Sequence, residues 1–231
     1  REIVTPPVPE WVRQTVRLHQ VSTADFRVPW SSGEARTIGL VADQVVTESH
    51  ARELSVVDGL AVADAGRDLA KIAVVERHLA TGRVGLGFVH GSGLARGALA
   101  STVAHDAHNL VVTGMSDDDM LCAVRHLAAI GGGIVAVEAG RVLADCPLPV
   151  AGILSDAPLD AVVTASRACN AAAAALGWSG ATPFLTLSFL ALSVIPSLKL
   201  TDRGLVDVDR FELVALAAAH SASGVRGGNP G

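Results

Sequence analysis

The sequence Ser101-Thr102-Val103-Ala104-His105-Asp106-Ala107-His108-Asn109 places four strongly polar side chains within five consecutive positions. A largely apolar run, 98–104, leads into them, and a second run, 110–112, follows. Apolar runs of this length are typical of buried strands, so the pattern predicts a polar turn between two core strands. Because buried imidazoles and carboxylates are costly unless they are paired, we expect these four side chains to serve a specific purpose.

Outward from this turn, strand patterns outnumber helix patterns. We expect strands near residues 38–42, 45–49, 69–75, 85–89, 134–137 and 141–144, and an edge strand over 206–213. A helix is predicted to begin after Ser116, whose hydroxyl is a suitable N-cap for the three aspartates that follow. A second helix is predicted from about Pro158 to Leu176, and 184–192 fits either a strand or a buried helix.

Because the helices come late, the predicted fold class is α+β: a largely antiparallel or mixed sheet with helices packed on one face. Residues 37–216 form this domain in our prediction. Residues 1–36 precede it as an N-terminal segment, and residues 217–231 follow as a disordered tail.

Composition excludes several classes of function. The net charge is −5 at pH 7 and lysine and arginine form no cluster, which argues against a nucleic-acid surface. The longest uncharged apolar run, 183–198, is too short to span a membrane. The three cysteines are widely spaced, without a Cys-x-x-Cys pair, as is typical of reduced thiols in a cytoplasmic protein.

The glycines between positions 82 and 97 do not form a phosphate-binding loop. Gly85 and Gly87 are followed by Gly91 at the wrong interval for a dinucleotide fingerprint, and no Gly-Lys-Ser/Thr occurs. Ser92 lacks the first glycine of a nucleophile elbow, because Val89 stands there. We expect these glycines to allow bulges and close contacts within the sheet.

Several segments, taken in order, resemble the C-terminal region of the bacterial adenine deaminases of the amidohydrolase superfamily. The resemblance extends from about Trp11 to about Leu216 and includes the polar turn at 101–109. Its other motifs are VVERH (74–78), TGRVGLGFV (81–89), GSGLARGA (91–98), GGGIV (131–135), PLPVAGI (147–153), TLSFLAL (186–192) and LKLTDRGL (198–205). Relatives tend to have serine where Ala107 stands, proline at Ser193 and an acidic residue at Ser197.

The resemblance implies adenine aminohydrolysis, in which adenine and water give hypoxanthine and ammonia. Family members carry a binuclear iron or manganese centre in a preceding (β/α)8 barrel, with a His-x-His pair among its ligands. The eight histidines here include no such pair, and 231 residues are too few for this region plus a barrel of roughly 250 residues. We therefore expect a C-terminal domain that is inactive and metal-free by itself, with residues 1–36 as the remnant of the link to the barrel.

The resemblance also suggests which partners this domain has. They are adenine, the barrel of the same protein and further copies in a homo-oligomer, in a cytoplasmic enzyme of purine salvage or adenine catabolism. Neither nucleic acid nor a membrane is expected as a partner.

The candidate catalytic residues are His105, Asp106, His108 and Asn109, which would complete the active site of the barrel by reaching the purine. Two alternatives stay open: a polar corner in which Asp106 and Asn109 cap the turn, and a metal site within this domain. On a strand, His105 and His108 would point to opposite sides.

Glu76, Arg77, His78 and Ser101 are predicted to support the catalytic candidates from behind. Arg77 could hold a carboxylate through two hydrogen bonds, and the alternative is an ion pair at the end of a strand. A structural or oligomerisation domain that covers the mouth of the barrel is the competing function. Exposure of His105 and Asp106 in a groove would favour the active-site function, and complete pairing inside would favour the structural one.

Overall fold

A computed structural model describes residues 7–218 of the chain. Within these residues there are three α-helices: α1 (Asp117–Ala129), α2 (Leu159–Ala175) and α3 (Pro183–Leu190). The strands are β1 (Val28–Pro29), β2 (Glu34–Leu40), β3 (Thr47–Glu53), β4 (Ser55–Val57), β5 (Leu60–Val62), β6 (Leu69–Val75), β7 (Val84–His90), β8 (Ala98–Ser101), β9 (Leu110–Gly114), β10 (Gly133–Glu138), β11 (Arg141–Pro147), β12 (Leu198–Thr201), β13 (Gly204–Asp207) and β14 (Glu212–Val214).

An eight-stranded sheet forms the centre of the fold. Its strand order is β11-β10-β8-β9-β6-β7-β2-β3, and neighbouring strands are antiparallel except for β2 and β7. Two antiparallel three-stranded sheets, β1-β5-β4 and β12-β13-β14, accompany it. The predicted α+β class with a largely antiparallel sheet is therefore confirmed.

Helices cover both faces of the central sheet. Successive side chains of a strand point to opposite sides, and the apolar side chains on both sides of this sheet are packed against other elements. Met120, Val124 and Leu127 of α1 pack on the face formed by Ala73, Val75, Ala98, Ala100, Val112, Val135 and Val137. The other face, formed by Ile72, Val74, Leu99, Val111, Ile134 and Ala136, packs against α2, α3, β12 and β13. The expectation that all helices lie on one face is wrong in this detail.

The largely apolar sequence of β6 fits this double cover, since all seven of its residues are buried. Lys71 lies in the same strand, and its ammonium group donates to the Phe26 carbonyl at 2.9 Å and to Asp117 at 2.6 Å. The first helix begins as predicted, with the Ser116 hydroxyl accepting from the backbone N–H of Asp119 at 3.2 Å.

Two other regions differ from the sequence pattern or resolve its ambiguity. The ambiguous segment 184–192 is helical as far as Leu190, where α3 ends. The predicted edge strand 206–213 is instead a hairpin: β13 and β14 pair from Asp207–Glu212 to Leu205–Val214, and Phe211 takes a left-handed conformation in the turn. No helix in residues 7–218 is long and apolar enough to cross a membrane.

The folded unit begins before residue 37. Residues 34–36 are part of β2, and Phe26 and Val28 are buried in the core, so the predicted boundary falls inside the domain. At the other end, Ala217 bridges to Ala35. The tail predicted to be disordered otherwise consists of residues 219–231, which lie outside the described residues.

Candidate functional site

The polar turn connects β8 to β9, as the sequence predicts. Ser101, at the end of β8, is buried and uses its hydroxyl locally: it donates to the Val103 carbonyl at 3.0 Å and accepts from the Val103 N–H at 2.9 Å. The Thr102 hydroxyl donates to the Gly152 carbonyl at 2.6 Å. These bonds fix the start of the turn, so that residues 105–109 project from a rigid base. We refer to residues 105–109 as the polar loop.

Two imidazole rings of the polar loop lie together. The ring centroids of His105 and His108 are 5.5 Å apart, and the ring centroid of His105 lies 5.2 Å from that of Phe189 in α3. The loop is neither a strand nor a helix but a tight turn, in which His108 has a positive φ of 48°. This turn brings the two rings together.

His108 is held as a neutral ring. Its Nδ1 atom accepts from the Ala104 N–H at 3.2 Å, which requires an unprotonated nitrogen there. Burial lowers the pKa of His108, and the charges of His105 and Arg77 lower it further. The ring is therefore suited to fixing the shape of the loop.

Asp106 and Asn109 differ in exposure. Asp106 is exposed and makes no hydrogen bond to the described part of the chain, whereas Asn109 is 6% exposed. Both line a cavity of about 160 Å³, together with residues 191–194, Thr201 and Asp202. Asp106 is thus the group of the loop that is free to meet a ligand.

Arg77 braces the polar loop from behind. Its guanidinium donates to the carbonyls of His108 and, at 3.1 Å, Ala151, and its backbone N–H lies 3.4 Å from Asn109 Oδ1. Arg77 is almost fully buried, and burial lowers its pKa to about 10. The side chain therefore holds backbone carbonyls, and the expected grip on a carboxylate is wrong.

Glu76 shapes the turn that follows β6. Its carboxylate accepts from the backbone N–H groups of His78, Leu79 and Thr81 at 2.6–2.9 Å, and from the Thr81 hydroxyl at 2.9 Å. Burial raises the pKa of Glu76, but these hydrogen bonds outweigh it and lower the pKa to about 2. The carboxylate thus binds its own turn, in place of the ion pair with Arg77 that was the alternative.

His78 connects this turn to the polar loop. It is exposed, and its Nε2 atom lies 2.7 Å from the Ala107 carbonyl oxygen, to which a protonated Nε2 donates. Arg77 and His78 therefore contact the loop directly, while Glu76 acts through the turn that carries His78.

Asp202 is a member of this site that sequence reasoning did not assign. Its Oδ1 atom accepts from Asn109 Nδ2 at 3.1 Å, and its Oδ2 atom accepts from Arg83 Nε at 2.6 Å. This hydrogen-bonded carboxylate raises the pKa of Arg83. The motif LKLTDRGL contained the signal, but nothing in the local sequence connects it to the polar loop.

Metal ligands do not converge here. In residues 7–218, no group of three or more His, Cys, Asp or Glu side chains could hold a metal ion. The site offers an exposed carboxylate, a half-buried imidazole and a buried amide beside a small cavity. Such a set can accept and donate hydrogen bonds or move a proton, and it does not fit a binuclear metal centre.

Fold and site together define an α+β domain that presents one braced polar loop. Over residues 44–212 the sequence matches the family described as the adenine deaminase C-terminal domain. The chain belongs to this family.

Relatives with curated names agree with the family match. The chain is 53% identical over 207 residues to the adenine deaminase of Oleidesulfovibrio alaskensis, covering 89% of this chain and 36% of that protein. It is 48% identical over 211 residues to the adenine deaminase of Desulfatibacillum aliphaticivorans (91% and 37%) and 48% identical over 207 residues to adenine deaminase 2 of Carboxydothermus hydrogenoformans (89% and 36%). The chain thus spans little more than a third of the length of these relatives.

Proposed function

We propose that this chain is the C-terminal domain of an adenine deaminase, which hydrolyses adenine to hypoxanthine and ammonia in purine salvage or adenine catabolism in the cytoplasm. The family match over residues 44–212 and the names of the relatives support this proposal. Because the chain corresponds to about 36% of such a relative, the remainder of the enzyme would supply the catalytic barrel.

The polar loop is proposed to complete the active site of that barrel. The exposure of Asp106 at the edge of a cavity is the observation that carries this assignment, because a carboxylate that no side chain of residues 7–218 occupies is accessible there to a ligand. An exposed carboxylate can accept a hydrogen bond from a purine or exchange a proton with it. His105, which packs against Phe189, would stand beside it, while His108 and Asn109 fix the loop.

The binuclear manganese or iron centre is proposed to belong to the barrel. The residues of this chain do not fit such a centre, since the ring of His108 already accepts a backbone hydrogen bond through Nδ1. Assembly into a homo-oligomer is a further proposal, which the exposed Leu159 and Val163 of α2 support. Sedimentation of the full-length enzyme would test it.

The decisive experiment is Asp106→Asn in the full-length protein, which removes the charge and keeps the volume. We expect kcat/KM for adenine to fall at least about tenfold, which corresponds to about 1.4 kcal/mol, with little change in melting temperature. An effect on KM alone would assign Asp106 to substrate binding.

Asp58→Asn is the matched control, because Asp58 is exposed in the β4–β5 turn, where its positive φ suits asparagine as well. Unchanged activity in Asp106→Asn, or a loss that only follows stability, would contradict the active-site assignment. The domain would then be the structural or oligomerisation domain that covers the mouth of the barrel.

A further inference from the structure

We propose that Asp202 is a positioning residue, which holds the polar loop in its working conformation through Asn109. The inference rests on the proposed function of that loop. Asp202 lies between β12 and β13, 93 positions from Asn109 in the sequence, in a small sheet that is separate from the central one.

Four groups form a continuous hydrogen-bonded chain. Arg83 Nε donates to Asp202, whose second oxygen accepts from Asn109 Nδ2, and Asn109 Oδ1 faces the backbone N–H of Arg77. Each side-chain atom in this hydrogen-bonded chain acts only as a donor or only as an acceptor. A carboxylate at 202 and an amide at 109 therefore satisfy every partner, whereas two amides or two carboxylates would not.

Burial makes this arrangement strict. Asn109 is 6% exposed and the side chain of Asp202 is 12% exposed, so neither group can readily exchange its partner for water. Gly85 brings the turn into place, because a side chain there would overlap the Thr201 carbonyl oxygen. The approach of the β12–β13 turn to β7 thus sets the position of Asp202.

The position of Asn109 determines that of the residues before it. Asn109 is the last residue of the polar loop, and the carbonyl of His108 is bound by Arg77. Asp106 and Asp202 line the same cavity. If Asn109 shifts, Asp106 moves with it, and a displacement of about 1 Å at a reacting group can lower a rate about a hundredfold.

Exchange of the two side chains gives a sharp test in the full-length protein. In Asp202→Asn, the new amide can satisfy Arg83 or Asn109 but not both, because one of them would face an N–H group. In Asn109→Asp, two carboxylates meet. The double variant Asp202→Asn/Asn109→Asp restores every bond, since Asp at 109 accepts from Arg77 and from the amide at 202, whose oxygen accepts from Arg83.

We expect each single variant to lower kcat/KM at least about tenfold at a temperature well below its melting transition, and the double variant to return to within about threefold of wild type. Asp209→Asn, at an exposed residue in the β13–β14 turn of the same small sheet, should match wild type. Wild-type activity in the single variants, or no recovery in a folded double variant, would overturn the inference.

A second measurement separates this inference from the proposed function. Amide hydrogen exchange of residues 104–108 should accelerate in both single variants and return to the wild-type rate in the double variant. If wild-type protein fails to release ammonia from adenine, the proposed function fails, while the exchange rates still decide whether Asp202 holds the loop. If exchange is the same in all variants, Asp202 does not hold it.

Discussion

At the scale of the residue, Glu76 shows how one side chain can organise a turn. Its carboxylate receives four hydrogen bonds, three of them from backbone N–H groups. An amide at this position would point an NH₂ group at some of these donors and leave them unsatisfied. We expect Glu76→Gln to lower the free energy of unfolding by about 1–3 kcal/mol at pH 7, as measured by urea denaturation.

The sign of the pH dependence provides the control for this prediction. The pKa of Glu76 in the folded protein is about 2, below its ordinary value, so its contribution is complete above the ordinary value and disappears as the pH falls towards 2. The difference in stability between wild type and Glu76→Gln should therefore shrink in acid. Glu53→Gln, on the exposed edge strand β3, should show no such difference at pH 7.

At the scale of the element, two glycines of β7 share one face of the strand but have different neighbours. A Cβ at Gly85 would overlap the Thr201 carbonyl oxygen, whereas a Cβ at Gly87 would meet Leu205 Cδ2 at 3.4 Å and Ile72 Cγ2 at 3.6 Å, which is ordinary contact. We expect Gly85→Ala to destabilise the protein by about 1–3 kcal/mol in thermal or urea unfolding, because it forces β12 away from β7.

Gly87→Ala is the matched control for this prediction, with a change within about 1 kcal/mol of wild type, since alanine suits a strand better than glycine. Equal effects of the two substitutions would show that the close approach at Gly85 does not hold the two sheets together.

Sequence patterns located most elements and failed where the information is not local. The runs 69–75 and 110–112 were recognised as strands because, apart from Lys71, their residues are apolar, and both faces of these strands are buried. The same property removes the alternation of polar and apolar residues that would show which face of the sheet a helix covers. The sequence therefore could not show that α1 lies on one face and α2 and α3 on the other. In the hairpin of β13 and β14, the buried Val208 continues the alternation into the turn and hides the break.

The candidate site follows the same rule. The polar loop was visible because its side chains are adjacent in sequence, and Arg77, which was predicted to support it, donates to the His108 carbonyl. Asp202 was missed because its contact with Asn109 depends on how a separate sheet packs on the central one. The sequence contains the residues that bind each other, Asn109, Asp202 and Arg83, but only the tertiary fold brings them together.

At the scale of the whole molecule, the polar loop is contacted by residues from three parts of the fold. Arg77 follows β6 of the central sheet, Phe189 belongs to α3, and Asp202 belongs to the small sheet. Both covering elements pack on the same face, so the sheet and its cover meet at the end where the loop emerges. The domain thus holds the exposed carboxylate of the polar loop, Asp106, on a rigid frame.

This arrangement predicts that the chain of residues 1–231 alone neither retains a metal nor deaminates adenine. Its metal-ligating side chains are scattered within residues 7–218, and burial raises the pKa of Cys169 to about 12, so that its thiol is not a ready ligand. His105 and His108 are the nearest pair in the loop, but His108 is engaged through Nδ1.

We expect purified protein, loaded with manganese, iron or zinc and then desalted, to hold far less than one equivalent of metal and to release no ammonia from adenine above background. His105→Ala should behave in the same way. One equivalent of metal kept by the wild type and lost by this variant would show that the polar loop is a metal site, and ammonia release would show that the barrel is not needed for the reaction.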